Sequence, residues 1–496
     1  MNKSRLLLVS VVVLAIALLS SSWSGRGAKE SIEATGLGVP VIGAQSDASS
    51  TWFCTAGSAP LDPVPHHQVA ITNVGQRSTP VRVTAYGPDG VAGTHTVHVA
   101  ANEANIVDLD TTFSAAGLSA MVEAPRGAIS VSSWLLSAKV GDISQCERES
   151  SSVWYFPSQT TVTGSTASLV LFNPFSSDAG VDISAAVSDG IRSPTEWAGV
   201  VVPAGTTKVI DLSQFIQRRD QFSVTVEVRS GRVFANSVQT YTKVELEPSP
   251  VVTGLRLTRP VANPRSKWVF AGGFKDSGAA ESIVVQNPGS SSVTVSVQVS
   301  PYGTDQDLAP EPFEMQVPPR RYAVLDLTQE GRVPDVGFHS ITVESNQGRP
   351  IVVQRRIRIS AEPTTDESTV TRPDIATGVA ATTGSTGGAR NWVIPGVITG
   401  RSNTPLAFIH NPGDEAATIK VVTTDDDGNS VVLVENHEIP PSDGLALPLT
   451  HESLADAAVR VYEVSATAPV VVEQLVTLNA IPDLAVTSAF PLGRQN

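Results

Sequence analysis

The chain is short of basic residues. Its 496 residues include 34 Lys and Arg against 48 Asp and Glu, which gives a formal net charge of −14 at pH 7. Because a nucleic-acid surface needs clustered positive charge to replace phosphate counterions, we predict no nucleic-acid partner. The densest basic cluster, Arg355, Arg356 and Arg358, lies in a segment that alternates Ile, Val and Arg. That pattern favours a solvated sheet edge.

Motifs for catalysis and cofactor binding are missing as well. The sequence has no Gly-x-Ser-x-Gly elbow, no phosphate loop, no His-Glu-x-x-His and no dinucleotide glycine pattern after a strand. We therefore predict a protein that is not an enzyme and holds no cofactor. A hydrolase is kept as the weakest hypothesis, because two carboxylates for glycoside hydrolysis meet only in the folded chain.

No group of residues has the spacing of a metal site. His66 and His67 are adjacent and His95 and His98 are three apart, so each pair points to opposite faces of a strand. We expect solvent-exposed or loop histidines there. The acidic run 425–427 lacks the spacing of the known calcium loop, and its Asp–Gly end favours a hairpin turn. The prediction is that no metal binds.

Cysteine is limited to Cys54 and Cys146. The N-terminus has Lys3 and Arg5 before an apolar run over residues 6–19, a pattern typical of an export signal. An even pair of cysteines in an oxidising compartment, one at each end of a predicted domain, predicts a disulfide.

Residues 1–23 are predicted to be a signal peptide or a signal anchor. The stretch 6–23 is near the lower length limit for a bilayer span, no clear Ala-x-Ala site follows it, and Trp23 suits the outer interface. We favour an anchor, which predicts a single-pass membrane protein with its C-terminal bulk outside the cytoplasm; cleavage would release a secreted protein. Residues 24–50, rich in Ser, Gly and Ala, are predicted to be a flexible tether.

Four tryptophans recur at long intervals, and each precedes an asparagine at the end of an apolar run. The pairs are Trp52 with Asn73, Trp154 with Asn173, Trp268 with Asn287, and Trp392 with Asn411. A residue that recurs in every copy serves the shared fold more often than a single site. We therefore interpret these eight residues as structural.

The repeats predict an all-β protein with four tandem antiparallel β-sandwiches, loosely immunoglobulin-like, after an N-terminal hydrophobic helix. Short runs of alternating apolar and polar residues between turn signals indicate antiparallel strands with one buried face. The predicted boundaries are 51–150, 151–265, 266–390 and 391–496, with a linker over residues 362–390. A β-solenoid or a propeller is the alternative fold, although propeller blades usually repeat at roughly 40–50 residues.

Several motifs resemble a repeat of large exported bacterial proteins: Trp-Tyr-Phe-Pro at 154–157, Leu-Val-Leu-Phe-Asn-Pro at 169–174 and Val-Pro-Ala at 202–204. The order of segments resembles that of uncharacterised, membrane-anchored cell-envelope proteins of actinobacterial type. The resemblance covers nearly all residues beyond 50. It implies a location and an architecture, and it carries over no catalytic residue.

We expect a non-enzymatic scaffold or interaction protein of the bacterial cell envelope, built as an anchored rod, with a compact closed assembly of the repeats as the alternative arrangement. The alternative is a glycan-binding accessory subunit of envelope polysaccharide assembly. Its candidate ligand platforms are Trp134 and Trp197, which lie outside the repeated tryptophan position, although tryptophans of this kind more often form part of a core. Under either hypothesis the partners are envelope proteins or glycans of unknown identity, with the membrane contacted through residues 6–23.

Overall fold

A computed structural model describes residues 37–493 except 45–48, 58–63, 247–248, 276–277, 304–308, 335–336, 360–377, 399–404, 455–458 and 478–482. Nearly all of its secondary structure is β-strand, and the named strands pair antiparallel. The predicted all-β class is confirmed. The predicted N-terminal helix lies outside the described residues; within them, no helix has the length and apolar character that crossing a bilayer requires.

The strands form four consecutive groups, which we call units 1 to 4. Unit 1 contains β1 (Ser50–Cys54), β2 (His66–Asn73), β3 (Thr79–Gly87), β4 (Gly90–Val99), β5 (Glu103–Asp108), the helix α1 (Leu109–Phe113), β6 (Ser119–Ala124), β7 (Ile129–Leu136) and β8 (Gly141–Gln145). Unit 2 contains β9 (Val153–Gln159), β10 (Ser165–Asn173), β11 (Ala179–Val187), β12 (Gly190–Arg192), β13 (Val200–Val202), β14 (Thr206–Asp211), β15 (Phe222–Ser230), β16 (Phe234–Leu246) and β17 (Ser249–Thr258).

Units 3 and 4 also consist of strands joined by short connections. Unit 3 contains β18 (Lys267–Phe274), β19 (Ala279–Gln286), β20 (Val293–Pro301), β21 (Phe313–Val317), β22 (Tyr322–Asp326), β23 (Phe338–Ser345), β24 (Val352–Ile359) and β25 (Gly378–Thr383). Unit 4 contains β26 (Ala389–Ile398), β27 (Leu406–His410), β28 (Ala417–Thr424), β29 (Ser430–Ile439), β30 (Gly444–Pro448), β31 (Val459–Thr477), β32 (Leu484–Ser488) and β33 (Phe490–Pro491). Short 3-10 turns lie at Thr195–Trp197, Leu212–Gln214 and Asn346–Gly348.

Units 1 to 3 each build two sheets. One sheet has the order β1-β6-β3-β4 in unit 1, β12-β11-β15-β9 in unit 2 and β18-β23-β20-β21 in unit 3. The other has the order β5-β2-β7-β8, β14-β10-β16-β17 and β22-β19-β24-β25. In unit 4 the long strand β31 runs through both halves, pairing with β26 and β28 in one and with β27 and β32 in the other.

Alternation along the strands produces the core of each unit. In β20, Val293, Val295, Val297 and Val299 are buried while the residues between them are partly exposed. These four valines pack in one cluster with Ile283 of the other sheet. Full burial of such a side chain contributes about 1.5–3 kcal/mol, so the period-two pattern is the main source of stability within a unit.

The four units form a closed ring around one strand from each unit. Strand β8 lies against β17, β17 against β25, β25 against β32, and β32 against β8. Units 1 and 4 meet directly, since Trp52 of unit 1 packs edge-on against Phe490 of unit 4 with ring centroids 5.6 Å apart. The predicted rod is therefore wrong. A repeat pattern describes each copy, but it carries no information on contacts between copies.

A single carboxylate joins the four strands of the ring. Asp483 Oδ2 accepts hydrogen bonds from the N–H groups of Gly141 in β8 (3.1 Å) and Leu255 in β17 (2.9 Å). Its Oδ1 accepts from Val379 in β25 (3.2 Å) and Leu484 in β32 (2.9 Å). Burial raises the pKa of Asp483 to about 8, although the four donors favour the ionised form.

Glycine permits the close approach around this carboxylate. A Cβ on Gly378 of β25 would lie 2.7 Å from Asp483 Oδ1, and one on Gly254 of β17 would lie 2.6 Å from Val379 Cγ2. Side chains at these two positions would push the strands away from the centre.

Two stretches predicted to be flexible contribute to the packing instead. Within the predicted tether 24–50, Leu37 and Ile42 are buried, and Ile42 bridges Leu492 of unit 4. Within the predicted linker 362–390, residues 378–383 form β25 of the ring. Composition rich in Gly, Ala and Thr suits a linker, but it also suits a strand packed tightly at the centre of the ring.

We predict that Asp483→Ala lowers the free energy of unfolding by at least about 3 kcal/mol, because each buried N–H left without an acceptor costs about 1–3 kcal/mol. The matched control is Asp425→Ala, whose carboxylate accepts N–H groups in an exposed hairpin. Urea unfolding measures both. Equal losses in the two variants would show that Asp483 does not hold the ring together.

Candidate functional site

The four repeated asparagines fix one loop in each unit. Asn73, Asn173, Asn287 and Asn411 are buried, and each Nδ2 donates to the carbonyl four residues later, at 2.8–2.9 Å. Each Nδ2 also donates to a carbonyl 26 to 31 residues later in the same unit. Each Oδ1 accepts the N–H two residues on. Only an amide supplies both donors and an acceptor at this reach, so the recurrence of Asn has a structural cause.

The four repeated tryptophans lie in the cores of their units. Trp154 donates its Nε1–H to Val233 O, Trp268 to Ile351 O, and Trp392 to Val470 O, at 3.2, 3.0 and 2.8 Å. In each case the carbonyl is close to the strand that precedes the ring strand. Trp52 differs, because its Nε1 has no hydrogen-bond partner among the described residues and the guanidinium of Arg148 lies 5.3 Å from its ring centroid.

The predicted disulfide is present. Cys54 in β1 and Cys146 after β8 are bonded, and both are buried. The bridge closes a loop of 92 residues around unit 1. In the chain-entropy model a loop of this length contributes about 4–5 kcal/mol.

The two candidate ligand platforms lie inside the protein. Trp134 is 2% exposed, packs with Val476 and Ala485 of unit 4, and donates Nε1–H to Ser132 Oγ at 3.1 Å. Trp197 is 1% exposed and packs edge-on against Phe215. Neither indole presents an open face for stacking on a sugar, and nothing in the sequence distinguished a buried from an exposed tryptophan here.

A polar cleft of about 620 Å³ lies between units 2 and 3. Its walls include Tyr155, Asp182, Glu227 and Arg229 from unit 2 and Gln286 from unit 3. Asp182 accepts the N–H of Gly199 at 2.7 Å and pairs with Arg229. The cleft therefore offers acidic, basic and amide groups on one concave surface, with one half-buried tyrosine.

The histidines do not assemble into a metal site. His66 is exposed and pairs with Asp108, whereas His67 is buried and bonds to Leu118 O and Ser133 Oγ. The expectation of an exposed or loop position was therefore wrong for His67, whose pKa burial lowers to about 4. Across the described residues, no group of three or more His, Cys, Asp or Glu side chains is arranged to hold a metal ion.

The acidic run at 425–427 forms the predicted hairpin turn. It connects β28 to β29, and Asp425 Oδ1 accepts the N–H groups of Asp427 and Asn429 at 3.0 and 2.7 Å. Asp426 points away and pairs with Arg460. The carboxylates are thus used separately within the turn and its neighbouring strand.

A buried ionic cluster joins units 3 and 4. Arg355 Nη2 bonds to Glu473 Oε2 at 3.0 Å, and the same oxygen accepts the N–H of Gly272 at 2.8 Å. Glu281 lies 3.8 Å from Arg355 Nε and 2.7 Å from His339 Nε2. All four charged or titratable side chains are almost fully buried. Burial raises the pKa of Glu473, and Arg355 opposes that effect.

This cluster corrects the interpretation of the arginine segment. Strand β24 is not an edge, since it pairs with β19 on one side and β25 on the other, and Arg355 is fully buried. Alternating arginines mark a solvated edge only when no other unit covers them. The partners, Glu281 and Glu473, stand far from Arg355 in sequence, and no spacing rule could have connected them.

A family model described as a family of unknown function, DUF5719, matches residues 118–251 and 257–490, more than half of the chain. The chain belongs to this family. The match includes units 2 and 3 and most of unit 4, and it leaves out β1–β5 of unit 1. This agrees with the resemblance to an uncharacterised family, while the actinobacterial type stays a prediction.

Other comparisons add little. The chain is similar to a solved structure titled "Crystal Structure of Thermotoga maritima 1070", with 21% identity over 25% of this chain and 94% of that one. The TM-score is 0.20, so this likeness carries no argument. No curated protein matches the sequence.

We predict that Trp268→Ala lowers the free energy of unfolding by about 3 kcal/mol or more, because it leaves a large cavity in the core of unit 3 and removes the bond to Ile351 O. Phe215→Ala, at a 37% exposed position, is the control and should cost much less. Urea unfolding and hydrogen exchange within unit 3 measure the effect. An unchanged midpoint for Trp268→Ala would show that the indole is not a packing residue.

Proposed function

We propose that the protein is a non-enzymatic scaffold of the bacterial cell envelope, held outside the cytoplasm by its N-terminal segment. The observation that carries this proposal is the use of the buried carboxylates. Asp483 joins the four ring strands, and Glu473 pairs with Arg355 across units 3 and 4. In a hydrolase, such carboxylates would point at a substrate. In this protein they connect one unit to another. The product is a stiff ring suited to presenting several surfaces in a fixed arrangement.

The outer edges of the ring are where partners would bind. Strand β4 ends one sheet of unit 1 and β29 ends the corresponding part of unit 4, and most of their residues are partly or fully exposed. Val91 on β4 is 60% exposed, and Val432 on β29 is also exposed. Open sheet edges with exposed apolar side chains suit recognition by strand addition.

The scaffold proposal predicts that photocrosslinking residues at Val91 and at Val432 capture the same set of envelope proteins in intact cells. The control position is Phe215, which is also exposed but lies outside the strands. Mass spectrometry identifies the products. Capture at neither outer edge, or an identical set at all three positions, would contradict a scaffold that binds through its outer edges.

A glycan-binding role is the second candidate, and the polar cleft between units 2 and 3 favours it. Asp182, Glu227, Arg229 and Gln286 supply acceptors and donors for sugar hydroxyl groups, and Tyr155 supplies one aromatic ring. The ligand would bind in this cleft, whose wall includes Trp197, 1% exposed, but not the buried Trp134.

If a glycan binds there, Glu227→Gln should weaken binding on a glycan array at least several-fold, since it removes a charged acceptor from the cleft wall. Glu344→Gln is the matched control, because Glu344 occupies the corresponding exposed position on β23 of unit 3. No signal with the unmodified protein, or equal losses in both variants, would rule against this role.

A further inference from the structure

Three arginines from two units converge on one small pocket. Arg256 comes from β17 of unit 2, while Arg356 and Arg358 come from β24 of unit 3. Because Arg356 and Arg358 are two residues apart on a strand, they share one face, and Arg355 points to the other. The pocket lies on the side of β24 opposite the Arg355–Glu473 pair. The two faces of this strand therefore meet different surroundings.

The pocket is small and opens to solvent beside the exposed Asp220. Its enclosed volume is about 20 Å³, on a scale where a single water molecule needs roughly 10–15 Å³. Thr160 and Tyr241 of unit 2 and Val379 of unit 3 complete much of its wall. The enclosed space thus admits one or two oxygen atoms of an anionic group, and the remaining atoms of that group would lie at the opening.

Arg256 is held rigidly and still has an unused donor. It is 2% exposed, and it donates Nη1–H to Tyr241 Oη and Nη2–H to Ser158 O, both at 3.0 Å. Its Nε–H is buried and has no hydrogen-bond partner among the residues that the structure describes. An unsatisfied buried charged donor is costly, so its presence in a pocket wall points to a missing acceptor.

The two arginines of β24 also have N–H donors that the described residues do not use. Arg356 donates Nε–H to Ser282 Oγ at 3.0 Å and Nη1–H to Gln221 Oε1 at 2.8 Å. Arg358 forms no hydrogen bond or ion pair within the described part of the chain. Most of its five N–H groups are therefore available to a bound acceptor.

Carboxylates do not neutralise the three arginines at contact distance within the described residues. Asp220 lines the pocket but is exposed, and Asp326 and Asp142 act only at longer range. Burial, followed by repulsion from Arg358 and Arg256, lowers the pKa of Arg356 to about 9. Three like charges in a shared, partly buried pocket repel one another, and a bound anion would offset that repulsion.

We propose that this pocket binds a phosphate-class oxyanion, either free phosphate or the phosphoryl group of a larger molecule. Guanidinium groups present paired N–H donors in a plane, which matches the oxygens of a phosphate better than it matches a spherical ion. Arg256 supplies a fixed donor, while Arg356 and Arg358 close on the anion from the facing strand. The anion also bridges units 2 and 3.

Thermal unfolding of the full-length chain tests the site, with inorganic phosphate compared with chloride at equal ionic strength. We expect a saturable rise in Tm with phosphate and a smaller, non-saturating change with chloride. Arg358→Gln should weaken phosphate binding about tenfold or more, since it removes a charged donor. Arg390→Gln, at an exposed arginine outside the pocket, should leave the response unchanged.

The stability of Arg358→Gln without phosphate is a separate control for its folding. Arg358 forms no hydrogen bond with any described residue, so without phosphate Arg358→Gln should unfold at or above the temperature of the unmodified protein. Arg358→Lys should regain part of the response to phosphate. A response to phosphate that persists in Arg358→Gln, or an equal response to chloride, would overturn the proposal. Tighter binding of glucose 1-phosphate than of inorganic phosphate would assign the site to a phosphorylated molecule, and equal binding would assign it to free phosphate.

A carboxylate of the chain itself is the competing occupant. Residues 360–377, outside the described part, include Glu362, Asp366 and Glu367. The titration is therefore repeated with these three changed to Gln. A phosphate response that appears only in this variant would show that the chain fills its own pocket, and it would overturn the proposal. The same response in both proteins supports it.

Discussion

The four hydrogen bonds to Asp483 are the constraint on which the rest of the structure depends. Each ring strand is the edge of its sheet, and the N–H groups along that edge have no partner strand in the sheet. Such an edge normally pairs with another strand or faces water. Here β8, β17, β25 and β32 meet at the centre of a ring, where neither solution is available. One buried carboxylate accepts from all four strands. Asp142 does the same on a smaller scale, since it accepts the N–H of Leu257 at 2.7 Å and of Ile143 at 2.8 Å.

Closing the ring with polar groups has a cost and a benefit. Burying the Arg355–Glu473 pair removes two charges from water, and such pairs seldom exceed a well-packed apolar contact in stability. The geometry of these pairs is, however, more specific than that of contacts between valines, because the two charged groups must lie at hydrogen-bonding distance in a single alignment of the units. Apolar contacts at the other junctions, such as Phe53 stacked on Phe234 with centroids 4.0 Å apart, supply the stabilisation. Polar pairs select which unit meets which.

The sequence was sufficient to predict features that recur along the chain or that follow from a simple residue count. The all-β class, the disulfide, the Asp–Gly hairpin and the buried state of Trp154 and its counterparts follow from period two, cysteine count and recurrence. What it could not supply depends on contacts that each copy makes differently. Asp483 resembles only Asp142 in its contacts across the ring, Arg355 and Glu473 are 118 residues apart, and Trp134 is buried by residues of unit 4 as well as by its own unit. Ring closure could be predicted from none of these residues alone.

The arginines of β24 show why charge pattern and position must be considered together. In a single sandwich, the face of β24 that carries Arg356 and Arg358 would be solvated, and three arginines in four residues would need no explanation. Ring closure places β17 over that face and adds Arg256, which converts a tolerable surface into a shared positive pocket. On the opposite face, Glu281 and Glu473 compensate Arg355 from within the protein. The described residues provide no equivalent compensation for the pocket, so closure of the ring itself creates the need for an anion between units 2 and 3.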